Sequence, residues 1–383
     1  MGRLRTLALL SILGWTLGSG CRSLATPSRG PSVTPQPSPY AGEPLVPTAT
    51  AVQMEVATVA GPTATASASP GAEETAARRG PVRRDRFGVG VALAPITDYP
   101  VEQLGIGWYL NWGVRISPAH PDNADFWQMV RVSEEGFVPD AETIRAVAIA
   151  CPGSFWLIGN EPDVRWQDNT TPEQYAVRYH DLYGILKSAD DTCQVAVGGV
   201  SQPTPLRLAY LDGVLASYES RYGEPMPVDV WNVHNFILRE ELNSWGVGIP
   251  PGADVEAGTL YEIEDHDDVT VFREQLLAFR RWMNEHGERD KPLVISEYGI
   301  LMPADYGFDP GRVQRFMEAT FDLFLTATDD AIGYPGDDNR LVQWWCWYSL
   351  AAPEDYYPTG NLFDPETKEL TPLGAGFAAY KGP

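Results

Sequence analysis

The chain has 383 residues, of which 44% are hydrophobic and 11% aromatic, so it is long enough to bury a large core. It carries 28 Lys and Arg against 51 Asp and Glu, a formal net charge of −23. A surface this acidic repels phosphate backbones, which argues against nucleic acid as a partner.

The first 20 residues predict a signal peptide. Arg3 and Arg5 precede an apolar run from Leu7 to Leu17, which is too short for an ordinary membrane span. Three small residues then lead directly to Cys21, a pattern similar to bacterial lipoprotein signals, in which the new N-terminal cysteine is lipidated. The leucine usual three positions before that cysteine is absent, so plain secretion stays open. We expect an extracellular or cell-surface protein, with Cys21 as the anchor if lipidation occurs.

Residues 21–85 are rich in Pro, Ser, Thr and Ala. Such a segment buries too little apolar surface to offset its ordering entropy, which predicts a disordered tether. The remaining segment, 86–383, shows no second linker, and its length suits one large domain.

Eight short apolar segments within 86–383 predict β-strands. Their near-continuous hydrophobicity is typical of strands covered on both faces, as in parallel sheets. In chain order these segments are 87–95, 108–115, 126–133, 155–162, 194–201, 228–236, 292–299 and 341–349.

Helical patterns alternate with most of these strands. One begins at Thr171 with Gln174 close behind, which is close to a capping-box pattern. No strong helix is predicted between the second and third strands. Because no GxGxxG follows the first strand, a dinucleotide-binding fold is not favoured. The pattern predicts a (β/α)8 TIM barrel, preceded by the signal peptide and the disordered tether.

The cysteines suggest a disulfide rather than a metal site. Cys151 precedes the fourth predicted strand and Cys193 the fifth, so both are expected at the bottom rim of neighbouring strands, where they could pair. Cys346 lies in an apolar strand and is expected to be buried and free. No CxxC motif or His cluster is present, so we expect neither a metal nor another cofactor.

Two glutamates occupy the ends of predicted strands, where catalytic residues lie in such barrels. Glu161 ends the fourth strand and Glu297 the seventh. Counting back by two from each reaches apolar residues, among them Leu157 and Ile295, so both carboxylates are expected to point into the mouth with that face.

Other polar and aromatic residues lie near strand ends and complete the predicted site. Arg115 and Arg131 are candidates either for surface ion pairs or for keeping Glu297 ionised. Trp345 and Trp347 share a face with Gln343 and are favoured over Trp344 as inward aromatic platforms, whereas Tyr298 is expected to face outward. The other residues at or near strand ends are Asn111, Trp112, Asn160, Trp166, His234 and Asn235.

Two inward carboxyl groups at one mouth fit the cleavage of glycosidic bonds. One must be protonated to assist the leaving oxygen, while the other must be ionised to attack the anomeric carbon. Burial and mutual repulsion separate their pKa values, which gives each group its role.

The segments "LIGNEPD" and "VISEYG" resemble the paired motifs of glycoside hydrolase clan A, which are retaining enzymes on a (β/α)8 barrel. That resemblance implies that Glu161 is the general acid/base and Glu297 the nucleophile. It also implies that Asn160 holds the sugar 2-hydroxyl and that His234 lines the adjoining subsite. With "WYLNW" and "VDVWNVHNF", the chain is loosely similar to the small β-1,3-glucanase-type families, although the loop 237–267 is longer than expected there.

The leading hypothesis is therefore a secreted or lipid-anchored retaining glycosidase that acts on a β-linked carbohydrate and works as a monomer. The same chemistry could run as transglycosylation. A non-catalytic carbohydrate-binding lipoprotein on the same barrel is the alternative from another class. A metal-dependent hydrolase lacks the clustered ligands that it needs. The sugar, its linkage and the choice between internal and terminal cleavage stay open.

Overall fold

The computed structural model describes residues 83–353 and 358–383. The predicted signal peptide, the lipidation site at Cys21 and nearly all of the predicted tether lie outside the described residues.

The described residues form ten β-strands, and each of the eight predicted segments contains at least one of them. The strands are β1 Phe87–Gly90, β2 Trp108–Leu110, β3 Asp125–Phe126, β4 Gln128–Val132, β5 Phe137–Val138, β6 Phe155–Ile158, β7 Gln194–Val197, β8 Trp231–His234, β9 Leu293–Tyr298 and β10 Trp344–Trp347.

The strands form two mainly parallel sheets that join into a barrel-like ring. One sheet has the order β3-β2-β1-β10-β9-β8 and the other the order β5-β4-β6-β7. The backbone N–H of Met129 donates to Gly113 at 3.0 Å on one side of the ring. A parallel bridge between Ala196 and Val230 joins β7 to β8 on the other side. β3 and β4 share the third of eight positions, and the antiparallel β5 flanks β4.

Six α-helices accompany the strands: α1 Ala141–Ala150, α2 Pro172–Ala189, α3 Pro205–Tyr222, α4 Val269–Glu285, α5 Pro310–Thr326 and α6 Pro372–Ala379. The predicted start of α2 is confirmed, because Gln174 N donates to Thr171 Oγ1 and Thr171 N donates to Gln174 Oε1. Between β1 and β2, and between β2 and β3, the chain forms short 3-10 turns instead of α-helices. The ring therefore carries fewer helices than the full (β/α)8 pattern that the sequence predicted.

Stacked aromatic rings fill the N-terminal end of the barrel. The ring of Trp127 lies between those of Trp108 and Phe155, with centroid distances of 4.0 and 4.1 Å, and Trp344 meets Phe155 edge-on. Gly88 makes this possible, because a Cβ there would lie 2.4 Å from the Trp108 ring. The rings close the bottom of the barrel, and active sites of such barrels lie at the opposite end.

Candidate active site

Both predicted glutamates lie at the C-terminal mouth of the barrel, where one histidine contacts both. His234 Nδ1 is 3.0 Å from Glu161 Oε1, and His234 Nε2 is 3.7 Å from Glu297 Oε1. Glu161 is 2% exposed, Glu297 6% and His234 0%. The histidine fits because Gly199 faces it, since a Cβ at that position would lie 2.5 Å from the imidazole. Two carboxyl groups from the fourth and seventh strand positions thus share one buried imidazole.

A strained turn aims the Glu161 side chain. Glu161 has a φ of +43° and Gly159 a φ of +91°, both in the left-handed region that ordinary residues avoid. The carboxylate of Asp168 compensates, because it accepts backbone N–H groups from Asn160 and Val132 at 2.7 and 3.1 Å. Strain of this kind persists where the surroundings over-determine it, which is typical of functional sites.

Asp168 was missed by the sequence analysis. It is buried and lies 2.5 Å from the Arg131 guanidinium, so Arg131 makes an ion pair next to the motif that carries Glu161. Burial raises the pKa of Asp168, while Arg131 and the two backbone donors oppose that rise. No local pattern in the sequence marks this residue, because its role arises from contacts between separate strand ends.

A β-bulge, and not simple alternation, turns Glu297 into the mouth. Val233 pairs with Ile295, but the next residue, His234, pairs with Glu297, so β9 contains one extra residue. Ile295 also pairs with Trp345, which packs outward against α5. The expectation that Glu297 shares a face with Ile295 was therefore wrong, although the predicted direction of the carboxylate is confirmed.

The environment of Glu297 favours its neutral form. Burial raises its pKa to about 7, and the nearby Glu161 adds to the rise, while His234, Trp112 and Arg131 oppose it. The indole N–H of Trp112 donates to Glu297 Oε1 at 2.5 Å, a bond that favours the carboxylate. Trp112, predicted as a site residue, is thus in the site and also has a left-handed φ of +55°.

The pKa of His234 is shifted upward, although burial alone would shift it downward. Burial lowers the pKa of His234, but the Glu297 and Glu161 carboxylates outweigh this effect and raise it above its usual value. The ionisation of Glu297 and that of His234 therefore depend on each other, because each charge changes the pKa of the other group.

Four buried polar atoms at or near strand ends have no hydrogen-bond partner among the described residues. Such atoms cost free energy unless a ligand or water satisfies them. They are Oδ1 of Asn111, Oδ1 of Asn160, Oδ1 of Asn235 and Nε2 of His234. These residues, which the sequence placed at strand ends, could accept or donate hydrogen bonds to a hydroxylated ligand.

The other predicted aromatic platforms are not in the mouth. Trp345 packs against Phe324 of α5, and Trp347 packs against Tyr298 and Phe316; both tryptophans are fully buried. The prediction that they face inward was wrong. Tyr298 lies under the helices, as predicted.

Of the two roles left open for Arg115, the structure does not show the one beside Glu297. Arg115 is exposed, and its guanidinium donates to Val114 O at 3.1 Å. Arg131, on the neighbouring strand position, is the arginine that opposes the rise in the pKa of Glu297.

The predicted disulfide is not formed. Cys151, Cys193 and Cys346 are free thiols, and Cys151 Sγ lies 3.3 Å from Ile116 O. The register explains this result, because Gln194, next to Cys193, bonds to Ser154, whereas Cys151 lies three residues earlier beyond a turn. Cys346 is buried and free, as predicted.

Neither a cluster of metal ligands nor a membrane-spanning helix is found in the described part of the chain. Among its residues, no group of three His, Cys, Asp or Glu side chains could hold a metal ion. None of its helices has both the length and the apolarity needed to span a membrane.

Comparison with known proteins supports the fold. No protein-family profile and no curated protein sequence matches the chain. Solved structures do match. A GH128 (subgroup II) endo-β-1,3-glucanase from Pseudomonas viridiflava is 17% identical, with a TM-score of 0.53, over 78% of this chain and 98% of that one. A subgroup I endo-β-1,3-glucanase from Amycolatopsis mediterranei, in complex with laminarihexaose, is 16% identical over 77% and 99%, with a TM-score of 0.51.

The chain has the barrel fold of these glucanase structures. The resemblance seen in the motifs is therefore confirmed at the level of the fold. At this identity the likeness extends to architecture alone, and the assignment of chemistry depends on the side chains of the site.

Proposed function

We propose that this protein is a retaining glycoside hydrolase that cleaves β-1,3-linked glucan, with Glu161 as general acid/base and Glu297 as nucleophile. The observation that carries the proposal is the pair of buried carboxyl groups on either side of His234. The structural neighbours supply the substrate class, since they are β-1,3-glucanases, one of them bound to laminarihexaose.

The proposed reaction has two displacements. In the first, a Glu297 oxygen attacks the anomeric carbon, the bond from that carbon to the leaving oxygen breaks, and Glu161 gives its proton to that oxygen. In the second, Glu161 takes a proton from water, the resulting hydroxide attacks the anomeric carbon, and Glu297 leaves. Two inversions give overall retention.

Neighbouring residues support the roles proposed for the two carboxyl groups, although burial raises the pKa of Glu297 to about 7. The Trp112 N–H stabilises Glu297 as an anion, the form that attacks and later leaves. Asn160, next to Glu161 in the chain, has a free Oδ1 that can accept from the sugar 2-hydroxyl. His234 contacts both carboxyl groups and so fixes their positions relative to each other.

The first experiment is hydrolysis by the purified protein of β-1,3-, β-1,4- and mixed-linked glucans, mannans, xylans and galactans. We expect activity on β-1,3-glucan, release of the β-anomer as seen by NMR, and loss of activity in Glu297→Ala. A second variant, Glu161→Ala, is tested alongside. Azide should restore turnover in both variants but give products of opposite anomeric configuration, an α-glycosyl azide from Glu297→Ala and a β-glycosyl azide from Glu161→Ala. Binding of glucan without any turnover would overturn the proposal in favour of a carbohydrate-capture protein.

We further propose that the barrel is held outside the cell by a lipid on Cys21, through the tether that ends near residue 85. The support is the sequence pattern of the first 21 residues alone. Labelling of cells with a fatty-acid analogue should mark the wild-type protein and not Cys21→Ala. Equal labelling of the two, or labelling of neither, would contradict the anchor.

A further inference from the structure

A buried ion network joins the loop that carries Glu161 to the long segment after β8. Arg207 of α3 is fully buried and lies 3.0 Å from the Asp163 carboxylate and 3.1 Å from that of Glu240. Its guanidinium also donates to the backbone oxygens of Asp163 and Gly248, at 2.7 and 2.6 Å. One side chain thus fixes both loops with respect to each other.

Glu240 extends this ion network to further residues of the long segment after β8. Its carboxylate accepts from Thr204 Oγ1 at 2.5 Å and from the Thr259 N–H at 2.8 Å. Because charges at this depth are costly unless every partner is in place, such a network gives the loops one fixed arrangement. Both Glu240 and Thr259 belong to the loop 237–267, which is longer than expected for the small β-1,3-glucanase-type families.

An open, shallow cleft lies between the segment that follows Glu161 and the segment 241–249. Trp166 and Leu242 line it and are 45% and 50% exposed, beside polar side chains at Asn243 and Ser244. The Arg165 guanidinium lies 4.8 Å from the centre of the Trp166 ring. A single exposed tryptophan needs no explanation, but this one stands with a second apolar side chain in a rigid cleft.

The loop that carries Trp166 follows Glu161 directly in the chain. Two successive turns, from Val164 N to Glu161 O and from Gln167 N to Val164 O, fold the chain between Glu161 and Trp166 back on itself. The cleft therefore lies on the side of β6 and β8, whereas Trp112, at the end of β2, approaches from across the mouth and bonds Glu297.

We infer that this cleft binds sugar residues on the leaving-group side of a β-glucan chain, with Trp166 as the stacking platform. The inference rests on the proposed function. Glu161 delivers its proton to the leaving oxygen, so the sugar that departs lies on the Glu161 side, and the chain beyond it passes Trp166. The ring and Leu242 match the apolar face of a pyranose, while Asn243 and Ser244 can bond its hydroxyls. The clamped loops hold this surface ready before binding, which reduces the entropic cost.

The test compares Trp166→Ala with Trp166→Phe, which keeps an aromatic platform, and with Ile149→Ala, an exposed position on α1. The substrates are a β-1,3-gluco-hexasaccharide labelled at its reducing end and the trisaccharide. For Trp166→Ala we expect kcat/KM on the hexasaccharide to fall by about 10-fold, mostly through KM, with the trisaccharide little affected. The labelled products should become shorter, because fewer sugars are held on the leaving side. Trp166→Phe and Ile149→Ala should resemble the wild type.

Unchanged rate and products in Trp166→Ala, with an active wild type, would overturn the leaving-side subsite and leave the proposed function standing. A shift to longer labelled products would place the subsite on the opposite side and overturn the inference as well. If the wild type hydrolyses no glycan, the proposed function fails, and calorimetric titration with the hexasaccharide decides about the cleft. Weaker binding by Trp166→Ala then supports it, whereas equal binding, or binding by neither protein, overturns it.

Discussion

At the N-terminal end of the barrel, four aromatic rings pack face to face and edge to face, each in contact with the next. At the C-terminal mouth, buried polar atoms lack partners, and two residues, Trp112 and Glu161, hold left-handed backbone conformations. Packing at the first end contributes stability, while the mouth keeps features that cost stability in the absence of a ligand.

This difference between the two ends indicates where substitutions should affect stability and where they should affect catalysis. Removing a ring from the base should reduce the free energy of unfolding and leave the chemistry intact. Removing a carboxyl group from the mouth should abolish the chemistry and relieve unfavourable burial. Proteins commonly show this trade-off at active sites.

The largest expected effect is at the mouth. Glu297→Gln should reduce kcat on β-1,3-glucan by at least about 10³-fold, because the amide cannot form the glycosyl intermediate. Asp305→Asn, on an exposed carboxylate, serves as a matched control and should retain wild-type activity. Residual activity within about 10-fold of wild type would exclude Glu297 as the nucleophile.

The same variant should be more stable than the wild type at alkaline pH. The pKa of Glu297 is raised to about 7, mainly by burial, so its contribution to folding is complete below its usual pKa and is lost as pH rises through about 7. Glutamine does not titrate. The gain in unfolding free energy for Glu297→Gln should therefore grow between pH 5 and pH 8, to on the order of 2 kcal/mol. Thermal melts at both pH values check this, and a gain that shrinks with pH would contradict the raised pKa.

At the base, Trp127→Ala should show the reverse pattern. The ring is 3% exposed and stacks between Trp108 and Phe155, so its loss should reduce the free energy of unfolding by about 3–5 kcal/mol. Activity per folded molecule should be little changed, since the mouth lies at the other end of the strands. Denaturant unfolding of this variant and of the milder Trp127→Phe measures the effect. A loss of kcat without a loss of stability would contradict the assignment of stability to this end of the barrel.

Some features of the barrel and its mouth leave a pattern in the sequence, and others do not. The strands and the ends that carry Glu161, Glu297 and His234 were predictable, because apolar runs mark buried strands and polar residues mark their ends. The direction of Trp345 and Trp347 was not, because strands covered on both faces are apolar on both faces and alternation carries no information.

Contacts between distant segments were equally hidden from the sequence. The bulge that redirects Glu297 depends on how β9 pairs with β8, and the role of Asp168 depends on contacts with the ends of β4 and β6. Neither leaves a local pattern. The free state of Cys151 and Cys193 follows from a register that the sequence placed only approximately.

A smaller effect is expected when the hydrogen bond from Trp112 to Glu297 is removed. Trp112→Phe removes the N–H that favours the ionised Glu297, so the pKa of that carboxyl should rise further above about 7. The acidic limb of the kcat/KM profile should move to higher pH by about 0.5–1 unit. A pH-rate profile on a soluble β-1,3-gluco-oligosaccharide measures this. A uniform loss of rate without displacement of the limb would mean that the indole only contacts the sugar.

The smallest effect is expected at the bottom rim, where the two thiols lie. Cys151 and Cys193 are separate in the structure, with Cys151 bonded to Ile116 O, so Cys151→Ser should change the free energy of unfolding by less than about 0.5 kcal/mol. A bridge across the intervening residues would instead contribute roughly 2–4 kcal/mol, which reduction would remove. Thermal melts of wild type and variant, each with and without a reductant, separate these cases. If the wild type alone became less stable on reduction, the thiols would pair in solution, and this rim would be cross-linked as well as packed.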